Sequence, residues 1–355
     1  LDGAVVVDAN DYDGEPADAP QIDGPIDTAL VDAAVEPDAG EPCADFDPPW
    51  ALTSWARRRE LVFDTVPAHY SVMVDLMNPV FAEIAPHTRA DYFDLRVVRD
   101  DGQITELDRV VVEFADWIRV WFMVDTALNG GAGDPRYFLY YDNPDADPPP
   151  RQPHNVFPFV DFFERADLGL GTRYAQVDLG STPGNWRIEN GQLVQDGTWN
   201  HTGLVVLSLE GLLVPGFELV YRWLSHATYT DSGPLLFWSR TAGGGYYIER
   251  RTTTGVLFSE PDHSTLQQEP MPMADDTWHT HVLRYYDNTL IFREDGDSQV
   301  FDLTPTLVGD ETVGVATYHD AEVYRFDNLR VRVFVSPEPE PTIQDPAVCD
   351  DVVGN

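Results

Sequence analysis

From Trp50 onward the chain runs in short stretches that alternate apolar and polar residues, rich in Val, Phe, Tyr and Trp and broken by Gly, Pro, Asp and Asn. A period of two puts successive side chains on opposite faces of an extended backbone, so the pattern dictates strands rather than helices. Examples are Glu60-Leu61-Val62-Phe63-Asp64, Ser71-Val72-Met73-Val74-Asp75-Leu76, Ile118-Arg119-Val120-Trp121-Phe122-Met123 and Phe217-Glu218-Leu219-Val220-Tyr221-Arg222-Trp223. One helical stretch fits between Asn78 and Ala90, and Pro86 limits its length. The expectation is an all-β chain of two tandem β-sandwich domains behind an acidic, extended N-terminal segment.

Where the alternation stops, the composition changes. Residues 1–47 hold eleven Asp and three Glu and no Arg, out of 61 acidic residues in the chain. Such a stretch repels itself and reads as a spacer. Its exception is Ala4-Val5-Val6-Val7, a β-branched run able to add as a strand to an exposed sheet edge. The first sandwich is expected over 48–147, a proline-rich linker over 148–155 where Pro148-Pro149-Pro150 favours a stiff extended spacer, and a second, larger β block over 156–335. Residues 336–355, opening on Ser336-Pro337-Glu338-Pro339-Glu340-Pro341, read as a polar exit.

Charge removes several functions. The formal net charge is −39, and all 22 basic residues are Arg. A surface this acidic does not bind nucleic acid by neutralising phosphates. A chain without Lys offers no Schiff-base amine and no Walker lysine. No run of about 18 apolar residues occurs, so no transmembrane segment is expected. The chain opens on Leu1, as after removal of a leader, and the expected setting is extracellular or on a bacterial cell surface.

The first β block resembles a domain of unknown function found in bacterial and archaeal surface proteins. That pattern has an opening Trp, a D-[IL]-R strand, a D-G turn, a W-x-x-V strand and a closing Y-x-Y-Y-G-N-P. Here these are Trp50 or Trp55, Asp94-Leu95-Arg96, Asp101-Gly102, Trp117-Ile118-Arg119-Val120 and Leu139-Tyr140-Tyr141-Asp142-Asn143-Pro144, with Asp142 in place of the Gly. The resemblance implies a surface setting and no catalytic residues. The second block is similar to a concanavalin A-like jelly roll of the laminin-G and glucanase type, through Phe157-Pro158-Phe159-Val160-Asp161-Phe162-Phe163-Glu164, Trp186-Arg187-Ile188-Glu189-Asn190-Gly191-Gln192-Leu193, Thr277-Trp278-His279 and Tyr324-Arg325-Phe326-Asp327-Asn328-Leu329-Arg330-Val331. In related jelly rolls a structural Ca2+ joins the first strand, the D-G turn and the last strand. The matching positions are Asp161, Asn190, Gly191 and Asp327, and the alternative is that Asp327 and Asn328 organise a turn.

Glucanases on this jelly roll carry E-x-D-x-x-E, because two carboxylates must flank the glycosidic bond; the spacing does not occur here, and no catalysis is expected. Acidic pairs such as Asp275-Asp276 and Glu294-Asp295 read as surface charge. His279 and His281 share a strand face without a third ligand, so surface or packing roles are favoured over zinc. Trp199, Trp223, Trp238, Tyr246 and Tyr247 are candidate sugar-stacking residues beside the Gly243-Gly244-Gly245 stretch, against the alternative that they fill the core. Cys43 and Cys349 lack metal spacing and, in an oxidising compartment, would pair within the chain or between subunits.

Three functions compete on these grounds. The first is a non-enzymatic secreted or surface subunit, of fibre type, that self-associates by inserting Val5, Val6 and Val7 into a neighbour's sheet. The second is a lectin-like adhesin that binds a polysaccharide. The third, a glycoside hydrolase, is disfavoured by the missing acidic spacing.

Overall fold

Among the described residues the alternating runs fold as antiparallel strands in four sheets. A computed structural model describes residues 5–6 and 51–349, apart from 115, 151, 166–169, 180–184, 197–201, 210–215, 225–231, 240, 252, 261–263, 272–276, 296, 306–308 and 318–322. The first sandwich contains β1 (Val5–Val6), β2 (Arg57–Val62), β3 (Tyr70–Leu76), β4 (Arg96–Asp100), β5 (Ile104–Leu107), β6 (Arg109–Glu113), β7 (Ile118–Val124) and β8 (Arg136–Tyr141). One sheet has the order β1-β6-β7-β3, and the facing sheet contains β2-β8-β4-β5. Their inner faces bury Leu61, Tyr70, Val72, Val74, Val97, Val120, Phe122, Leu139 and Tyr141 as one core. The one α-helix among the described residues, α1 (Val80–Ile84), passes into a short 3-10 turn containing Pro86, as the proline requires.

The motif residues of this block meet in space. Asp94, fully buried, accepts the backbone N–H groups of Arg89 at 3.0 Å and Asp142 at 3.1 Å, and Trp55 donates its indole N–H to the Asp94 carbonyl. Asp142 has φ 70°, the left-handed region where the resembled pattern has Gly, and its carboxylate accepts from Arg57 at 2.9 Å. That ion pair helps hold an otherwise costly backbone conformation.

The second block is a jelly-roll β-sandwich of two facing antiparallel sheets. Its strands are β9 (Phe159–Asp161), β10 (Tyr174–Asp178), β11 (Trp186–Glu189), β12 (Gln192–Gln195), β13 (Thr202–Val206), β14 (Phe217–Leu224), β15 (Ser232–Ser239), β16 (Gly244–Arg250), β17 (Thr254–Glu260), β18 (Ser264–Pro270), β19 (Trp278–Tyr286), β20 (Thr289–Glu294), β21 (Asp297–Asp302), β22 (Glu311–Thr317) and β23 (Tyr324–Val333). One sheet runs β10-β13-β22-β15-β16-β17-β18 and the other β11-β12-β23-β14-β19-β20-β21, with β9 also paired to β23. Between them lies the largest core, which includes Leu193, Leu204, Leu219, Trp223, Ile248, Leu257, Leu283, Phe292, Val315 and Phe326. Asn190 (φ 53°) and Gly191 (φ 71°) make the two-residue turn between β11 and β12, a hairpin geometry that Asn-Gly adopts readily.

The closing residues depart from the expected polar exit. They return to the first sandwich as β24 (Thr342–Ile343) and β25 (Ala347–Val348), both pairing with β2. The reason is physical: β2 would otherwise be an open edge, and Ile343 and Ala347 supply apolar contact there. Cys349, 1% exposed, packs with Val98, Phe138 and Tyr140 and is disulfide-bonded. The chain's other cysteine, Cys43, lies outside the described residues.

The residues read as a spacer are tied down as well. Asp108 accepts from the Gln152 backbone N–H at 2.7 Å and from the Asn155 amide at 2.8 Å, and Val156 and Phe157 pack with Met73, Val112, Trp121 and Val160 between the sandwiches. Across the same junction Arg332 stacks over Trp121, 4.7 Å from its centroid, and donates to the Tyr70 hydroxyl at 3.3 Å. Glu218 receives Arg332 at 2.8 Å and Arg284 at 2.6 Å. Burial alone would raise the Glu218 carboxyl, but the Arg332 and Arg284 charges outweigh it and hold the group well below the usual carboxylate range.

Candidate functional site

Two places on this scaffold carry polar or backbone groups that packing alone does not explain. The first is the edge of the four-stranded sheet. Strand β6 pairs with β7 on one side, Val111 opposite Val120, and on the other it receives β1, Val5 opposite Glu113 and Val6 opposite Val112. The β6–β7 hairpin that presents this edge is stiff: Phe114 and Trp117 stack at 3.7 Å with their planes 3° apart, and Arg119 lies over Trp117 while gripping Asp75 at 2.6 and 2.8 Å. An edge held this firmly is a template for an added strand. The expected assembly strand, Val5, Val6 and Val7, is thus seen as an intrachain pairing of Val5 and Val6; Val7 lies outside the described residues.

The second place is one end of the space between the jelly-roll sheets. Tyr221, His281 and Glu294 sit side by side on β14, β19 and β20, and Arg250 reaches them from the opposite sheet. All four are buried. His281 Nδ1 lies 2.8 Å from the Tyr221 hydroxyl and its Nε2 2.9 Å from Glu294, while Arg250 donates twice to Glu294, at 2.8 and 2.7 Å. The carboxylate only accepts, so His281 Nε2 carries a proton, and the neutral ring then accepts from Tyr221 at Nδ1. Burial pushes His281 below the ordinary histidine range, against the opposing pull of Glu294. Burial would raise Glu294, but hydrogen bonds from Arg250 and His281 outweigh it and hold the carboxyl at about 2. The quartet is therefore a neutral His beside a saturated ion pair.

Alternation extends this polar patch across the sandwich. On β12 Leu193 points into the core, so Gln195 two residues on does too; the same parity places Thr202 with Leu204 on β13 and Thr317 with Val315 on β22. Gln195 pairs with Trp186 and Tyr324, and Thr202 with Thr317. The Trp186 indole donates to the Thr202 hydroxyl at 3.2 Å, joining the two sheets. Both side-chain polar atoms of Gln195, the Thr317 hydroxyl and the Trp223 indole nitrogen are buried without a hydrogen-bond partner among the described residues.

The sugar-stacking residues fare differently. Trp223, Trp238 and Tyr247 are 1%, 4% and 0% exposed, so their ring faces are packed against protein and not available for stacking on a sugar. Tyr246 is half-buried against the main core, and Trp199 lies outside the described residues. The glycine stretch serves the strands: a Cβ on Gly245 would meet the Leu236 carbonyl oxygen at 2.8 Å, so the residue permits close backbone packing at a bulge in β15.

The two carboxylates matched to a calcium site, Asp161 and Asp327, have partners within the protein. The Asp161 carboxylate holds Arg165 at 2.6 and 2.8 Å, the Tyr174 hydroxyl at 2.9 Å and the Phe163 N–H at 2.9 Å. A cation at Asp161 would have to displace that guanidinium. Asp327 accepts the Asn328 N–H at 2.7 Å, Asn328 having φ 54°, which is the turn-organising arrangement. No cluster of three or more His, Cys, Asp or Glu side chains suited to a metal occurs among the described residues.

His279 and His281 take separate carboxylates, Asp295 at 2.5 Å and Glu294 at 2.9 Å. Reading Glu294 as surface charge is corrected by its 3% exposure; Asp275 and Asp276 lie outside the described residues. The sequence offered no signal for this quartet, because Glu294 and Arg250 end strands where turns and solvent are the usual surroundings. The fold draws them inward in pairs that neutralise each other.

Neither a family model nor a curated protein matches the chain. Solved structures with a similar strand arrangement include a carbohydrate-binding module from Bacillus subtilis, 12% identical, covering 47% of this chain and 99% of that one with a TM-score of 0.34. Another is the catalytic domain of an endo-1,3-beta-glucanase (laminarinase) from Thermotoga petrophila, 14% identical, covering 49% and 95% with a TM-score of 0.34. A third is a cellulose-induced protein, 13% identical, covering 50% and 100% with a TM-score of 0.36.

Proposed function

We propose that this chain is a non-enzymatic, exported structural protein that associates with copies of itself by exchanging strand β1. The observation that carries the reading is the pairing of Val5–Val6 with the edge strand β6. That pairing spans two residues, too short to be held firmly by itself. Residues 7–50 connect it to the first sandwich, and a stretch of that length reaches up to roughly 150 Å when fully extended. The same strand therefore reaches β6 of a neighbour, and each copy both donates and accepts, a head-to-tail contact that grows into chains.

The resemblance of the first block to surface-protein domains and the disulfide at Cys349 favour an oxidising, extracellular or cell-surface setting. Of the jelly roll's buried carboxylates, Glu218 and Glu294 are held ionised by arginines, an arrangement that suits ion pairing rather than the protonated acid a glycosidase needs. Sedimentation velocity of the full chain beside a version lacking residues 1–47 tests the proposal. Concentration-dependent oligomers that disappear with the segment support it; identical monomers in both samples contradict it. Glycan binding by the jelly roll is the second reading, supported by the polar row between the sheets and not by the aromatic residues.

A further inference from the structure

The outer face of the sheet that contains β23, β14, β19 and β20 carries charge that the fold leaves unbalanced. Leu219, Tyr221, Leu283, Phe292 and Leu329 of these strands enter the core. Alternation therefore turns Val220, Arg222, Val282, Arg293 and Arg330 outward. The register sets four of them in one line across the strands: Arg330 opposite Val220, Val220 opposite Val282, and Val282 opposite Arg293. Three strand spacings put the two arginines about 14 Å apart, with the two valines between them. Arg222 stands beside this line, two residues along β14. The first sandwich reaches the face at β23, where Trp121 meets Arg330 and Arg332. Farther across, Val282 and Arg293 are half-buried, and Val300 on β21 is 50% exposed.

Arginines elsewhere grip carboxylates, as at Arg57 and Asp142, Arg119 and Asp75, Arg136 and Glu60, or Arg250 and Glu294. Arg222, Arg293 and Arg330 have no carboxylate within ion-pair reach among the described residues. Arg222 lies over Trp278 at 5.2 Å, Arg330 lies over Trp121 at 5.4 Å and Phe157 at 5.7 Å, and the Arg293 Nε is buried without a hydrogen-bond partner. The carboxylates nearby are committed: Glu218 to Arg332 and Arg284, and Asp327, opposite Arg222, to the Asn328 N–H. Burial draws the Arg330 guanidinium down to about 10; Glu218 opposes this, and Arg119, Arg332 and Arg284 add to it. Three uncompensated cations on one face of a chain with net charge −39 call for an acidic occupant.

We propose that this face is the docking surface for the chain's own acidic segment, and that residues 23–36 lie across it. Charge and length argue for this occupant. Residues 1–47 hold eleven Asp and three Glu and no Arg, and the stretch from 7 to 50 is long enough to cross the molecule with both ends attached. Asp32 and Glu36 bracket Ala33-Ala34-Val35 as Arg330 and Arg293 bracket Val220 and Val282. In an extended strand acids four residues apart stand about 14 Å apart, which is the spacing of the two arginines. Docking uses no residue of β1 or β6, so it holds whether or not β1 is exchanged, and it shortens the free arm that carries β1.

The test is a spin-label distance in the full chain, with labels at Ala34→Cys and Ser298→Cys, the second being an exposed position next to Arg293 in the register. Double electron–electron resonance should give one narrow distance that survives dilution with excess unlabelled protein. The combined variant Arg222→Gln, Arg293→Gln should lose it, as should Asp32→Asn, Glu36→Gln, which alters no residue of the two sandwiches; Arg330 is kept because it packs at the junction. A broad distribution in the parent chain would overturn the proposal, as would a narrow one that both variants retain. A narrow distance that vanishes on dilution would assign the face to a neighbour's segment and contradict docking within the chain.

Discussion

At the scale of single residues, the buried quartet in the jelly roll makes the sharpest demands. Glu294 is the partner of both Arg250 and His281, so Glu294→Gln leaves the Arg250 guanidinium buried against a neutral amide. Removing one member of a buried pair costs about 3–5 kcal/mol, and urea denaturation of the variant should show a loss of that order. The pH dependence has a definite sign. His281 is held below its ordinary value of 6.5, so as pH falls below that value the unfolded chain takes up a proton the folded one refuses, and stability drops. Glu294, held at about 2 against an ordinary 4.5, adds stability that is complete above pH 4.5 and is lost as pH falls towards 2. His281→Gln should flatten the step just below pH 6.5 and leave the more acidic loss in place. Calcium is a further residue-level test. Because Asp161 already holds Arg165 on both oxygens, adding calcium to chelator-treated protein should leave the thermal midpoint of the jelly roll unchanged, as differential scanning fluorimetry would show.

At the scale of elements, alternation made the strands legible, and the Asn190-Gly191 turn and the helix cut short by Pro86 were legible for equally local reasons. The strands β24 and β25 were not, since they are two residues each in a proline-rich, acidic stretch and owe their conformation to the open edge of β2. Which face of β14 meets solvent was also hidden. In Phe217-Glu218-Leu219-Val220-Tyr221-Arg222 the polar parity reads as the outside of a sandwich, yet Glu218 is 3% exposed because a second sandwich covers that face. Only the tertiary arrangement supplies Arg332 and Arg284 as its partners. The strap formed by β24 and β25 is fastened by the disulfide at Cys349. Cys349→Ser should therefore cost about 2–5 kcal/mol, and reductant should lower the stability of the parent protein without further affecting the variant.

At the scale of the whole molecule, four sheets stack in series, with an apolar core inside each sandwich and a mixed layer of Trp121, Phe157, Arg332 and Glu218 between the two. A covered junction of this kind couples the sandwiches, and calorimetry of the intact protein should show one transition. Glu218→Gln leaves Arg332 and Arg284 facing a neutral side chain at that junction, and the transition should split in two. The coupling also bears on the proposed assembly, because a rigid pair would transmit the orientation of β6 along a row of copies, whereas a hinged pair would not.

Whether β1 is exchanged is decided most directly by trapping the strand where it lies. Val5 and Glu113 face each other across β1 and β6, so a Val5→Cys, Glu113→Cys protein can form a cross-link at that register. Oxidised at high concentration and run on a non-reducing gel, it should give a ladder of covalent oligomers that collapses on reduction. A single monomer band carrying the new cross-link at every concentration would show that the strand never leaves its own chain, and would contradict the account.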